Sequence, residues 1–274
     1  MPSVSEFDRG RAILLDLEQH GRVEVAMLAD RFGVSTVTLR KDLEGLERRG
    51  MLRRIRGGAL AVPSSDEGAF EMRLRQSAAA KRAIAKEAAK LVKPGNVIAI
   101  DSSTTGHFLA QELLDLSSLV VITNGLRTAQ LFLTCSQATV LMPGGMLRRS
   151  AESMVGHFGD VLAGRGRINK GFFGLVGLSL QRGLMDIAPE EAQAKEAIAD
   201  VCDHIYGLFD SSKVGRFGMH AFVTPERITQ LISDDAVPAD VHEAWGKAGI
   251  DWVLVGPATT SSEAPARRTD RGRR

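Results

Sequence analysis

The stretch "STVTLRKDLEGLERRGMLRRIRGGA", Ser35–Ala59, decides how the N-terminal part of this chain folds. Wound as an ideal helix, it places Leu39, Leu43 and Leu46 on one stripe at i, i+4, i+7 spacing. Ser35 is a good N-cap, because its hydroxyl accepts from an otherwise unpaired backbone N–H of the first turn. Gly50 ends the helix, and "MLRRIRGGALAV" then reads as two short strands turning at Gly57-Gly58. Two helices are expected before it. Arg9–Gln19 carries Ile13, Leu14 and Leu17 on one side, and Val25–Phe32 carries Val25, Leu28, Ala29 and Phe32. Gly33 suits a left-handed helix stop between the second and third helices.

The outward face of the third helix begins with small side chains and continues with basic ones. Val37, Lys41, Glu44 and Arg48 point away from the leucine stripe, and Thr38 and Arg40 flank it. Small residues allow close approach to base edges, and threonine or valine methyls meet a thymine methyl. Arginine or lysine reaches guanine or phosphate. From Arg48 to Arg56 there are five arginines and no acid. A hairpin of that charge suits a wing lying along the phosphate backbone. Taken alone, the helix is equally a solvated or protein-binding one. Turn, helix and acid-free basic hairpin together point to double-stranded DNA. Ser35, Thr36, Val37, Thr38, Arg40 and Lys41 are the candidates on the helix, and Arg53, Arg54 and Arg56 on the hairpin. Asp42 lies beside the apolar stripe and is expected to pair with a nearby donor, not with DNA.

The 274 residues suggest one large domain or two of ordinary size, and a net charge of +2 identifies no partner. Cys135 and Cys202 are too few for a disulfide framework and lack zinc spacing. They read as reduced core or near-core thiols of a cytoplasmic protein. His107, His157 and His220 are isolated, and no metal or cofactor motif is expected. The N-terminus lacks a secretory pattern. No window holds the ~18 uninterrupted apolar residues of a membrane helix. The expected organisation is a DNA-binding domain over 6–62, a linker over 63–75 containing "PSSDEGA", a larger domain over 76–256, and a disordered basic tail over 257–274.

The larger domain alternates short apolar runs ("NVIAID", "LVVIT", "GFFGLVG", "IYGLFD", "DWVLVG") with helical segments. That alternation indicates an α/β domain with a mostly parallel sheet. Its loop "AIDSSTTGHFLA" (Ala99–Ala110) puts four hydroxyl residues, Ser102, Ser103, Thr104 and Thr105, between a strand and a helix. Such a helix N-terminus at the carboxyl end of a parallel strand is a natural phosphate site. Simple capping is the competing reading.

The chain resembles the DeoR-type bacterial transcription regulators. Ser35, Thr38, Leu39, Arg40, Lys41, Asp42 and Leu43, followed by Gly50, Gly57, Gly58 and Ala59, match the winged helix-turn-helix of that family. "ITNGL", "MPGG", "GFFGLVGLSLQRGL", "EEAQAK" and "LFDSSKVG" match its effector domain in order, so the resemblance runs from about Arg9 to Gly256. It implies a fold similar to ribose-5-phosphate isomerase, a phosphorylated-sugar effector, a homo-oligomer and no enzymatic activity. Residue by residue, it implies that Ser103, Thr104 and Thr105 hold a phosphate and that Lys213 adds the charge, with Ser102 a further effector-binding candidate in the same loop. Asp101, Asn124, Gly144, Gly145, Glu191 and Lys195 would line the sugar end. Each has a plainer reading: a turn at Gly144-Gly145, a cap at Asn124, a surface i, i+4 ion pair for Glu191 and Lys195. The family commonly has glycine where this chain has Ser103, and a side chain there narrows the loop. The rival function is a sugar-phosphate isomerase with an N-terminal appendage. Isomerisation needs a carboxylate base, and no Asp or Glu lies between Phe172 and Leu184.

Overall fold

A computed structural model describes residues 6–48, 52–61, 70–156 and 167–256. The helix stop expected at Gly50, the linker over 63–69, His157 and the basic tail over 257–274 lie outside the described residues.

The N-terminal unit runs α1 (Glu6–His20), β1 (Arg22–Glu24), α2 (Val25–Phe32), α3 (Thr36–Arg48), β2 (Leu52–Ile55) and β3 (Gly58–Ala61). Its core is the one that the helical spacing predicts. Ile13, Leu17, Leu28, Leu39, Leu43 and Leu46 are buried together. Gly33 takes φ +64° and ends α2. The wing has one strand more than expected, since β1 pairs antiparallel with β3 beside β2. Gly58 permits this, because a side chain there would collide with the Val23 carbonyl. Asp42 finds the partner expected for it. The buried Arg9 guanidinium donates to its two oxygens at 2.8 and 3.1 Å, tying α1 to α3.

The larger unit continues with α4 (Phe70–Arg75), α5 (Ala78–Ala89), β4 (Val97–Ile100), α6 (Thr104–Glu112), β5 (Val120–Thr123), α7 (Leu126–Cys135), β6 (Thr139–Leu141), β7 (Met146–Arg148) and β8 (Ser153–Val155). Next come β9 (Ile168–Phe173), β10 (Gly177–Ser179), β11 (Gly183–Asp186), α8 (Pro189–Ala199), β12 (Cys202–Leu208) and β13 (His220–Val223). It closes with β14 (Gln230–Asp234), α9 (Ala239–Lys247) and β15 (Asp251–Val255). Residues 70–75, within the linker expected over 63–75, are helical instead. Phe70 and Arg73 of α4 are buried, and the Phe70 ring meets His107 of α6 edge-on. Apolar anchoring outweighs the local linker signal.

Seven described strands form one parallel sheet in the order β15-β14-β12-β9-β4-β5-β6. Both faces are covered, which is why its strands read as near-continuous apolar runs. Ile84, Phe108, Leu109 and Phe132, from α5, α6 and α7, pack on one face. Ala194, Ile198 and Trp245, from α8 and α9, pack on the other. Two small antiparallel elements, β10-β11-β13 and β7-β8, are too short to have shown a pattern in the sequence. The two units also touch. Phe217 is buried in the N-terminal core, with Ile187 and Met219 packed beside it.

Two outcomes are expected. Asp42→Ala removes both bonds that Arg9 makes to this carboxylate in a dry site and should cost about 3 kcal/mol, a typical loss for breaking a buried pair. Arg9→Met combined with Asp42→Leu should recover most of the urea midpoint. The second outcome concerns pH. Burial, then the nearby Arg127 charge, push the His107 imidazole below its ordinary pKa, against a weaker pull from Glu71. Above the ordinary value of about 6.5 both states are neutral; below it the unfolded chain takes up a proton that the folded one resists. Stability should therefore fall as pH drops from 7 to 5.5, and His107→Gln should remove part of that slope in urea titrations.

Candidate functional site

The third helix presents the surface expected of it. Ser35 caps it, its Oγ accepting from the Thr38 amide at 3.0 Å and lying 2.8 Å from the Thr38 hydroxyl. Ser35, Thr36, Val37, Arg40 and Lys41 are exposed, and Thr38 is half-buried. Val37 is 59% exposed, an apolar side chain held in water on the face free of the core. Arg53, Arg54 and Arg56 are exposed on the wing. They differ in what they do. The Arg54 guanidinium donates to Glu47 of α3 at 2.6 Å, and its amide donates to the same carboxylate at 2.8 Å. These bonds hold the Glu47 carboxyl below its ordinary pKa. Arg54 thus fastens the wing to α3, a role that the charge run did not reveal.

In the larger unit the hydroxyl loop lines a solvent-open cleft at the carboxyl end of β4. Ser103 caps α6, its Oγ accepting from the Gly106 amide at 3.0 Å, and its own amide donates to Asp101 at 3.1 Å. The amides of Thr104 and Thr105 have no acceptor among the described residues. Capping and anion binding are therefore compatible here: the cap uses one amide and two remain at the positive end of the helix. Ser103 also packs closely on Gly174, where any side chain would collide with it.

The cleft brings together Ser102, Ser103, Thr104, Thr105, Glu191, Lys195 and Lys213. Glu191 and Lys195 are not a surface pair; each is only 4% exposed and has separate partners. The Lys195 ammonium donates to Asp186 at 2.7 Å and to the Gly174 carbonyl at 2.9 Å, and it lies 3.1 Å from Asp101. Burial pushes the Asp186 carboxyl up, but Lys195 and the Ile187 and Ala188 amides outweigh it and hold it below the ordinary range. Glu191 accepts from Arg148 at 2.9 Å, from Ser102 at 3.2 Å, from Asn124 at 3.4 Å, and closely from Ser153.

Four candidates stand elsewhere. Asp101 is fully buried beneath the loop, accepting from the amides of Ser103 and Gly174, and it does not line the cleft. Asn124 likewise sits behind the wall, bonded to Glu191 and the Met154 carbonyl. Gly144 and Gly145, at φ +88° and +118°, form the turn into β7, with Gly145 pressed on the Val155 carbonyl. The cleft also recruits residues that the sequence reading missed. Arg73 of α4, Lys81 of α5 and Arg216 line it, so its wall carries five cationic side chains against the three carboxylates of Asp186, Glu191 and Asp210. The alanine- and lysine-rich helix that supplies Lys81 was the only local signal. Among the described residues no group of three or more His, Cys, Asp or Glu is placed to hold a metal ion.

Comparison with known proteins agrees with both halves. Residues 9–65 match the DeoR-like helix-turn-helix domain, and residues 76–235 match the DeoR C-terminal sensor domain. The chain is 31% identical to the HTH-type transcriptional regulator GolR of Listeria innocua, over 89% of this chain and 96% of that one. It is 28% identical to the L-fucose operon activator of Haemophilus influenzae, over 86% and 94%. It is 26% identical to the glycerol-3-phosphate regulon repressor of Escherichia coli K12, over 88% and 95%. Among solved structures, ribose 5-phosphate isomerase A from Methanocaldococcus jannaschii aligns with a TM-score of 0.36 and 19% identity, over 49% of this chain and 53% of that one. No described helix is long and apolar enough to cross a membrane. The chain belongs to the DeoR family: it is a DNA-binding transcriptional regulator and not an enzyme.

Proposed function

We propose that this regulator represses a carbohydrate-metabolism operon in the cytoplasm and that a phosphorylated sugar, bound in the cleft of the larger domain, controls it. The observation that carries the effector class is the pair of open amides at Thr104 and Thr105, facing a wall rich in Arg and Lys. A phosphate there completes the helix N-terminus and takes charge-assisted bonds, which are roughly twice as strong as neutral ones. Thr104, Thr105 and Lys213 hold the phosphate; Glu191 and Lys195 face the rest of the ligand, with Asp101 and Asn124 positioning them from behind. The names of the relatives support sugar-linked control. They include both a repressor and an activator, and repression is the reading adopted here. Helix-turn-helix proteins pair on two-fold sites, which supports a homo-oligomer.

The test is calorimetric titration of the full chain with phosphorylated and unphosphorylated sugars. Only the phosphorylated forms should bind. Lys213→Ala should weaken them by about tenfold or more, since a hydrogen bond to a charged group contributes ~1.5–3 kcal/mol and each 1.4 kcal/mol is tenfold. Thr105→Val should weaken them less. Equal affinity for both forms would remove the phosphate reading.

On DNA selected by the wild-type chain from a random pool, Arg40→Ala and Lys41→Ala should each cost ~1–3 kcal/mol if they touch base edges, relaxing specificity at one position. Arg53→Ala with Arg56→Ala should weaken all sequences alike and flatten the salt dependence by about two charges. Unchanged affinity in all four would show that this face does not meet DNA.

A further inference from the structure

The cleft and the DNA-reading unit are joined by one short piece of chain. Lys213 and Arg216 line the cleft, and Phe217, the next residue, is 5% exposed and belongs to the buried apolar cluster of the N-terminal core. The segment between is tightly built. The Arg216 amide donates to the Lys213 carbonyl at 3.2 Å, and Gly215 turns at φ +71°. Gly177 of β10 lies directly on the Arg216 carbonyl, and Gly218 lies directly on Met185 of β11; neither position has room for a side chain. Arg182 donates to the Met219 carbonyl at 3.1 Å. A second connection runs beside it. Asp186 holds Lys195 in the cleft wall, and the adjacent Ile187 packs on the same N-terminal core.

We propose that the strap Lys213–Met219 is the lever by which an anion in the cleft controls the winged helix. This rests on the reading of the cleft as an anion site. An anion drawing Lys213 and Arg216 toward the α6 N-terminus pulls on a strap of six peptide units whose backbone is clamped on β10 and β11. There is no slack to absorb the shift, so Phe217 leaves its seat in the N-terminal core. Packed cores have discrete arrangements and do not deform continuously. With Phe217 seated, the orientation of the winged helix is set by Phe217, Ile187 and Met219. With it withdrawn, that orientation is released, and the spacing between two recognition helices on a two-fold site is lost. The ligand acts through its different contacts in the two arrangements, as any effector must.

The experiment is amide hydrogen exchange on the full chain, with and without millimolar inorganic phosphate, for wild type, Phe217→Ala and Phe217→Leu. In wild type, exchange should slow at residues 102–106 and quicken severalfold in α1 and α3. In Phe217→Ala, residues 102–106 should still slow, while α1 and α3 should exchange fast from the start and ignore phosphate. Phe217→Leu, which keeps an apolar plug, should show a reduced response, and it carries the test if the alanine variant does not fold. Protection at residues 102–106 without any change in α1 and α3 of wild type, or an undiminished response in Phe217→Ala, would overturn the lever while sparing the anion site. No protection at residues 102–106 in wild type would overturn the anion site and the lever together.

Discussion

The buried ammonium of Lys195 is the point on which the larger domain's site depends. It reaches Asp186 at the end of β11, the Gly174 carbonyl after β9, and Asp101 at the end of β4. Three segments far apart in the chain are thereby fixed around one charge. Asp101 in turn accepts from the Ser103 and Gly174 amides, which sets the path of the hydroxyl loop. A buried charge is tolerated only when paired and hydrogen-bonded, so the cluster is self-specifying: removing one member costs the others a charged partner in a dry place. The cleft is shaped by charges that a ligand does not have to touch.

The same principle works on a smaller scale in the N-terminal unit. Arg9 and Asp42 tie α1 to α3 from inside, and Arg54 and Glu47 tie the wing to α3 at the surface. The first pair is shielded from solvent. The second is exposed and screened, so its role lies in geometry more than in stability. Both orient the helix whose outward face carries Val37, Arg40 and Lys41. The two proposed binding surfaces ask for different chemistry. DNA requires exposed cations along a rigid face. The cleft, on the proposed reading, offers amides and cations in a concave wall, with Asp186 and Glu191 already paired with Lys195 and Arg148.

Much of this was legible in the residues. The leucine stripe of α3, the glycine stop at Gly33 and the arginines of the wing are local patterns, and their consequences are local. Strand-helix alternation likewise announced a parallel sheet, because strands covered on both faces must be apolar throughout. The linker expected over 63–75 runs too far, since a helix begins at Phe70 directly after the linker-like stretch. Composition was silent on β1, β7, β8, β10, β11 and β13, whose three or four residues cannot establish a period. The i, i+4 spacing of Glu191 and Lys195 suggested a surface pair, yet both are buried, since burial of a charge depends on partners distant in sequence.

By itself, then, the sequence determined the two units, their order and the chemical character of each surface. These follow from periodicity, turn residues and charge, all set within a few positions along the chain. Tertiary structure alone decided that Asp101 and Asn124 stand behind the cleft wall and that Arg73, Lys81 and Arg216 join it. It also decided that Arg54 braces the wing and that Phe217 enters the DNA-binding core. Each of these depends on which elements the sheet order and helix packing bring side by side, and contacts across such distances leave no periodic trace in the chain.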